Sequence, residues 1–210
     1  MKLYTHPIST TCRPIMMFAA EQGIPLDMQV VDLFTGEHTK APYGAINPNH
    51  LIPVLEDGDF QLTESSAIMK YLAEKAGSPL YPKDLQQRAR VNERMDWINT
   101  QLGREFCYGV VYPQIFPHHK RRSAEAQEAT LQWGKEHAQR WLKVLDENIL
   151  GPGNNYLCGD SLTIADFYGA AFLTLGEVVG CRFSDYPNVQ RWLGRMKALK
   201  SWKQVNETLD

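Results

Sequence analysis

Three short strings in the first third of the chain carry residue types suited to holding a small polar ligand beside a nucleophile. The first, HPISTTCRP, sets the hydroxyl of Ser9 and the thiol of Cys12 just ahead of a helical pattern that begins at Arg13. Helix starts favour negative charge and lower thiol pKa values, so Cys12 is a candidate for thiol-disulfide exchange through a mixed disulfide. Ser9, taken alone, reads as an ordinary loop serine. The second string is Ile52-Pro53, ahead of an apolar strand. Its proline either opens the strand or follows a cis peptide, which would leave the N–H and C=O of Ile52 free to pair with an extended peptide. The third, TESSAI, puts Glu64 and Ser65 at a helix start. A serine with a nearby acid is a common cap; the same groups also suit a ligand carboxylate at the free N–H groups and a ligand ammonium at Glu64.

Further along, Tyr108, Tyr112 and Phe116 recur every fourth residue, which fits either a core stripe or the wall of an apolar pocket. The run His118-His119-Lys120-Arg121-Arg122 follows Pro117, and adjacent histidines point apart, so a solvated connection is favoured over a metal or phosphate site. Tyr4 falls too early in the first strand to reach a cleft at its end and reads as a packing residue. Cys12, Cys107, Cys158 and Cys181 form no CxxC pair, which argues against zinc and against a dithiol redox motif; no metal is expected.

With 22 basic and 24 acidic residues, the net charge of -2 supplies no electrostatic reason for nucleic acid or an anionic membrane as partner. No run of about 18 apolar residues occurs, and the start MKLYTHP lacks the form of a secretory signal. The expectation is a reduced, cytoplasmic protein of one or two domains.

The elements that must position these residues alternate at first. A strand at Lys2–Thr5 leads to a helix over Arg13–Gln22 stopped by Gly23, and then to a strand over Met28–Leu33. Residues 34–49, rich in Gly, Pro, Asn and His, predict a mobile loop with a short helix. Ile52–Leu55 and Phe60–Leu62 flank the turn at 56–59 as a hairpin, and Ser65–Ala76 is helical. After a proline-bearing linker over 79–86, only helices are predicted: Ala89–Leu102, one broken near Pro113 and Pro117, Glu125–Leu150, Ile164–Val179 and Val189–Leu199. SLTIADF is a capping box, with Thr163 and Asp166 bonding reciprocally and Leu162 stapled onto Phe167.

In the same order over nearly the whole chain, YTHPISTTCRP, VVDLFTGEHTK, INPNHLIPVLEDGDFQLTESSAIMKYLAEK, LYPKD, YPQIF and SLTIADF resemble the glutathione transferases of the theta and delta classes. The resemblance is densest over residues 1–92. It implies a thioredoxin-like α/β domain over 1–78 that binds glutathione as co-substrate, a linker at 79–86, and an all-α domain over 87–210 carrying the electrophile pocket. It further implies a homodimer acting on a small apolar electrophile by halide displacement or conjugate addition. Ser9 becomes the hydroxyl at the glutathione sulfur, and Ile52, before a cis Pro53, holds the cysteinyl part. Glu64 and Ser65 take the γ-glutamyl end, while His38 and His50 reach the glycyl carboxylate. Tyr108, Tyr112 and Phe116 fall on the helix that lines the second-substrate pocket. Two departures stand out. Leu51 replaces a lysine common in theta members, and Ser66 replaces an arginine of the delta pattern. The competing readings are a thiol transferase working through Cys12 and a binder of hydrophobic ligands without turnover.

A physical reason supports the serine. A cysteine-type thiol has a pKa of about 8.5, so only a few per cent is thiolate at pH 7. One charge-assisted hydrogen bond of roughly 1.5–3 kcal/mol is enough to shift that balance by a unit or more.

Overall fold

The computed structural model describes residues 1–207. The first part is built on a four-stranded sheet of order β2-β1-β3-β4. β1 (Lys2–Thr5) pairs in parallel with β2 (Asp27–Val30) and antiparallel with β3 (Val54–Asp57), which pairs antiparallel with β4 (Phe60–Leu62). Leu3 stands opposite both Met28 and Leu55. Alternation along β1 buries Leu3 and Thr5 toward one face, where α1 (Arg13–Gln22) and α3 (Ser65–Lys75) contribute Ile15, Phe18, Ile68 and Leu72 to the core. The other face carries a small cluster of Val31, Val54 and Tyr43, the last on the short α2 (Ala41–Gly44), against which Tyr4 packs.

Gly23 ends α1 in the left-handed region at φ 64°, as its position predicts. β3 begins at Val54 instead of Ile52, because the Ile52-Pro53 bond is cis and Pro53 has no N–H to give a strand ladder. β2 stops at Val30, short of the predicted Leu33.

From Leu85 onward the described elements are helices, joined by loops that hold one isolated bridge between Tyr156 and Gly159. α4 (Leu85–Trp97) runs on without a break through a π-helical stretch (Ile98–Val111) into α5 (Tyr112–Ile115). The predicted end at Leu102 is therefore absent. Pro113 is absorbed within the first turn of α5, where the bonding register changes from π to α and one missing N–H is least disruptive. The break falls at Phe116, whose extended backbone precedes Pro117. α6 (Ala124–Val144) continues as π-helix to Leu150, and α7 (Ile164–Val178) and α8 (Pro187–Lys197) follow. A last helix, α9 (Lys200–Asn206), was not predicted.

Two features fix the helices in place. A Cβ added to Gly109 would lie 2.9 Å from the Cα of Gly134, so the helix carrying Tyr108 and Tyr112 crosses α6 at backbone contact. The capping box is present as read: Thr163 N–H and Oγ1 donate to Asp166 at 2.8 and 3.0 Å. The Asp166 carboxylate, fully buried, also accepts from Leu157 N–H and Trp192 Nε1, while burial pushes its pKa up to about 6.

The junction between the parts is packed, not open. Arg13, 1% exposed, sends Nε to Asn206 Oδ1 at 2.7 Å, Nη1 to the Ala171 carbonyl and Nη2 to Thr174 Oγ1. Ser78 Oγ donates to Gln22, and Ile164 N–H to the Leu80 carbonyl.

Candidate active site

One cleft between the sheet-bearing part and the helices collects most of the singled-out residues: Ser9, His38, Ile52, Pro53, Glu64, Ser65, Tyr108, Tyr112 and Phe116 all line it. His50 is not among its lining residues. Its Nδ1–H donates to the His38 carbonyl at 3.0 Å, so a neutral His50 keeps only an acceptor nitrogen for other partners.

Ser9 lies in the bend between β1 and α1, 6% exposed. Its Oγ accepts from the Cys12 N–H at 3.3 Å and lies 3.0 Å from Thr11 Oγ1. Cys12 is different. Its thiol is fully buried in the core, and burial pushes its pKa up, overriding the lowering expected at a helix start. The mixed-disulfide chemistry considered for Cys12 has no access here.

The segment before Pro53 is held from behind. The Leu51 carbonyl accepts from Tyr43 Oη at 2.8 Å and from Asn47 Nδ2 at 2.7 Å. Residues 34–49 are correspondingly better tied down than the mobile loop predicted. The Asp32 carboxylate accepts from Phe34 and Thr35 N–H, and Glu37 returns to Asp32 N–H at 2.8 Å. This places His38, 4% exposed, in a short 3-10 turn (Glu37–Thr39) with its buried Nδ1 unpartnered. Burial first, then His118 and His50, hold its pKa below the ordinary imidazole value.

At the start of α3, Glu64 has a positive φ of 65° and makes no side-chain cap bond, so the capping alternative fails for its carboxylate. Left-handed backbone at a non-glycine residue is a strained arrangement retained mostly at functional sites. Ser65 Oγ lies 3.2 Å from Tyr168 Oη on α7. Burial raises the Tyr168 pKa, which keeps its phenol protonated and able to donate.

The opposite wall is aromatic. Tyr112 stacks edge-on to Phe116 at 5.4 Å and to Tyr108 at 4.7 Å, and its hydroxyl bonds to Thr10 Oγ1. Against the prediction of a solvated connection, His118 and His119 line the same cleft. His119 lies 5.2 Å from Tyr112 and 5.4 Å from Tyr108, and His118 is stacked on Phe116 at 5.7 Å and set 5.1 Å from His38. Burial, with help from His118 and Arg121, lowers the His119 pKa to about 4, so it is neutral near pH 7. Phe34 meets Phe116 at 6.0 Å and joins the loop to this wall. The sequence carried a partial signal: residue 119 extends the spacing of 108, 112 and 116, although it sits in a 3-10 turn past the break at Phe116. Thr10, Thr11, Asn47 and Asn99 also line the cleft and were not singled out. Tyr4 is directed away from the cleft, 6.1 Å from Tyr43. Among the described residues no group of three or more His, Cys, Asp or Glu is placed to hold a metal ion.

A small mixed sheet with its cis proline, abutted by a helical part across a cleft that is polar on one side and aromatic on the other, is the architecture of the glutathione transferases. The family description "Glutathione S-transferase, N-terminal domain" matches residues 8–75, and "Glutathione S-transferase, C-terminal domain" matches residues 106–200. Human glutathione S-transferase theta-1 is 33% identical over 201 residues, 94% of this chain and 82% of the relative. The chain belongs to the glutathione S-transferase family. Among solved structures it is similar to the apo form of human glutathione-S-transferase T1-1, with TM-score 0.85 and 31% identity over 99% of this chain and 88% of that one. A delta-class transferase of Nilaparvata lugens gives TM-score 0.80 and 32% identity over 99% of this chain and 93% of that one. Human glutathione transferase theta-2, in complex with glutathione and an unknown ligand, gives TM-score 0.83 and 31% identity over 99% and 86%. Among the described residues no helix is long and apolar enough to cross a membrane.

Proposed function

We propose that the chain binds glutathione along the polar side of the cleft, holds its sulfur as thiolate with the Ser9 hydroxyl, and adds it to an apolar electrophile lying against Tyr108, Tyr112 and Phe116. The observation that carries this reading is the convergence, on one cleft, of the Ser9 hydroxyl, the backbone of Ile52 before a cis proline, and the uncapped Glu64 at a helix start. Those three features match the three chemical parts of a γ-glutamyl-cysteinyl peptide. Glu64 takes the ammonium, and the first turn of α3 with the Ser65 hydroxyl takes the γ-glutamyl carboxylate. Tyr168, donating to Ser65, leaves the Ser65 hydrogen for that carboxylate. Ile52 pairs with the cysteinyl main chain, and His38 takes the glycyl carboxylate.

The thiol proton leaves to solvent as the thiolate forms. Sulfur then bonds carbon, and either a halide departs with the bonding pair or the carbanion of a conjugate addition takes a proton from water. Bound proximity and the donor at sulfur supply the acceleration. The aromatic wall supports flat apolar electrophiles, and the neutral His119 adds a hydrogen-bond donor for an electrophile's oxygen. The reading includes a cytoplasmic homodimer; Leu51 and Phe60, 56% and 48% exposed, supply apolar surface on the sheet-bearing part for such an interface.

Calorimetric titration with glutathione, sedimentation, and initial rates with aryl chlorides, epoxides, isothiocyanates and peroxides test it together. Binding, a dimer mass and turnover of at least one class are expected. Glutathione binding with no turnover of any of them favours the non-catalytic binder, and no binding removes the reading altogether.

A further inference from the structure

The hydrogen bonds around Ser9 favour one direction for its proton over the other. Thr11 Oγ1 lies 3.2 Å from the Ile52 carbonyl, and a carbonyl only accepts, so Thr11 spends its one hydrogen there. Thr11 Oγ1 also lies 3.0 Å from Ser9 Oγ; with its hydrogen engaged, Thr11 accepts and Ser9 donates. The Cys12 N–H occupies one lone pair of Ser9. In this arrangement the Ser9 hydrogen is aimed at Thr11. A hydroxyl that has given its hydrogen to a neighbour cannot give it to a sulfur.

We propose that Thr11 is a hydroxyl switch that couples seating of the ligand main chain at Ile52 to activation of the thiol at Ser9. The proposal rests on the reading of Ser9 as the donor to the glutathione sulfur. The Ile52 carbonyl is the acceptor that the cysteinyl N–H of glutathione takes. A carbonyl holds two donors at most, and a second donor weakens its hold on the first; the Thr11 hydrogen, in a bond already long against a usual O–H···O distance of about 2.7–2.8 Å, is the one that gives way. Rotation about Cβ–Oγ then turns Thr11 to donate to Ser9, and the Ser9 hydrogen turns to the thiolate. No atom changes partner covalently; two hydroxyl hydrogens rotate, on the fast timescale of side-chain torsions.

The switched state completes the inventory of Ser9. Its oxygen accepts from Cys12 N–H and from Thr11 O–H, and its hydrogen goes to sulfur, which uses one donor and both lone pairs. A hydroxyl that accepts two hydrogen bonds is a stronger donor, because chains of such bonds polarise one another. The thiol is thereby activated chiefly when a peptide main chain is seated, and a small free thiol that does not reach Ile52 leaves the hydrogen turned toward Thr11.

Thr11→Val removes the hydroxyl and keeps the shape; Thr11→Ala is the alternative if valine fails to fold, and Thr11→Ser restores the hydroxyl. The readouts are glutathione affinity by calorimetry, the pKa of the bound thiol by ultraviolet absorbance of the thiolate, and the pH profile of kcat/KM. For Thr11→Val the bound thiol pKa should rise by about 0.3–1 unit, with kcat/KM falling roughly two- to tenfold at neutral pH and recovering at alkaline pH. Affinity should stay within about twofold, and Thr11→Ser should resemble wild type. A glutathione analogue with an ester in place of the cysteinyl amide N–H should raise the bound thiol pKa in wild type and add nothing further in Thr11→Val. Additive effects of the ester and the mutation overturn the coupling. An unchanged thiol pKa in Thr11→Val, with or without lost affinity, overturns the switch while Ser9→Ala still raises that pKa. If Ser9→Ala leaves it unchanged too, the Ser9 reading has failed and the switch falls with it.

Discussion

The two sides of the cleft are built by different means. On the sheet-bearing side, positions are set by backbone and by short-range hydrogen bonds: the cis peptide at Pro53, the positive φ of Glu64, the doubly held Leu51 carbonyl and the loop tied by Asp32 and Glu37. On the helical side, Tyr108 and Tyr112, on a helix whose path is fixed by the Gly109–Gly134 crossing, hold Phe116 and His119 just past its end by ring contacts. A backbone-defined side recognises one constant ligand, because nearly any change there costs a specific bond. A side-chain-defined wall on a rigid frame can be repainted without moving the frame.

The sharpest break in that contrast is at Ser9. Ser9→Ala should lower turnover by about ten- to a thousandfold with every electrophile alike while glutathione still binds, because the lost bond is worth most to the thiolate. Steady-state rates and calorimetry together measure this; a loss confined to one electrophile would place Ser9 on the wrong side of the comparison.

Next in size is Glu64→Ala. Glutathione affinity should fall by about 1–3 kcal/mol, the cost of leaving the ligand ammonium unpaired in a partly desolvated cleft, again independently of the second substrate. An affinity equal to wild type would return Glu64 to a backbone role only.

A smaller and opposite signature is expected on the aromatic wall. Phe116→Leu and His119→Phe should change relative kcat/KM among electrophiles by roughly three- to thirtyfold, since one altered apolar contact is worth about 1–2 kcal/mol, while the glutathione dissociation constant stays put. A panel of electrophiles run against both variants decides it, and a uniform loss across the panel would erase the distinction between the sides.

The smallest effect is in the pH dependence of binding. The His38 pKa is held below the ordinary imidazole value in the free protein, and a ligand carboxylate raises it. Binding therefore takes up a proton between those two pKa values. Affinity is greatest below the free pKa and fades as pH rises through that of the complex. A gain of a few-fold on acidification is expected from this one site, absent in His38→Ala, while turnover falls over the same range as thiolate is lost. A His38→Ala titration that keeps the wild-type pH dependence would assign the effect elsewhere.

The same contrast explains what was legible in the sequence. Ile52-Pro53, TESSAI and the capping box are local signals, and each appeared where its residues pointed. His118 and His119 were misjudged because their role depends on a helix that runs unbroken from Leu85 to Ile115 and delivers them to the cleft, whereas Pro113 suggested an earlier break. The fate of Cys12 was equally non-local. Its position at a helix start predicts a reactive thiol, but the core that buries it comes from the rest of the chain. Thr11 carried no signal of its own; its importance comes from a carbonyl 41 residues away.

Arg13 has a consequence for how the molecule comes apart. Its buried guanidinium sits on α1 and donates to groups on α7 and α9, so melting the helices alone would take those partners from a charge held at the junction. The two sequence-level domains are therefore one cooperative unit in unfolding. Calorimetric heating should give a single endotherm whose van't Hoff and calorimetric enthalpies agree per folded unit, with no plateau in which the sheet survives the helices.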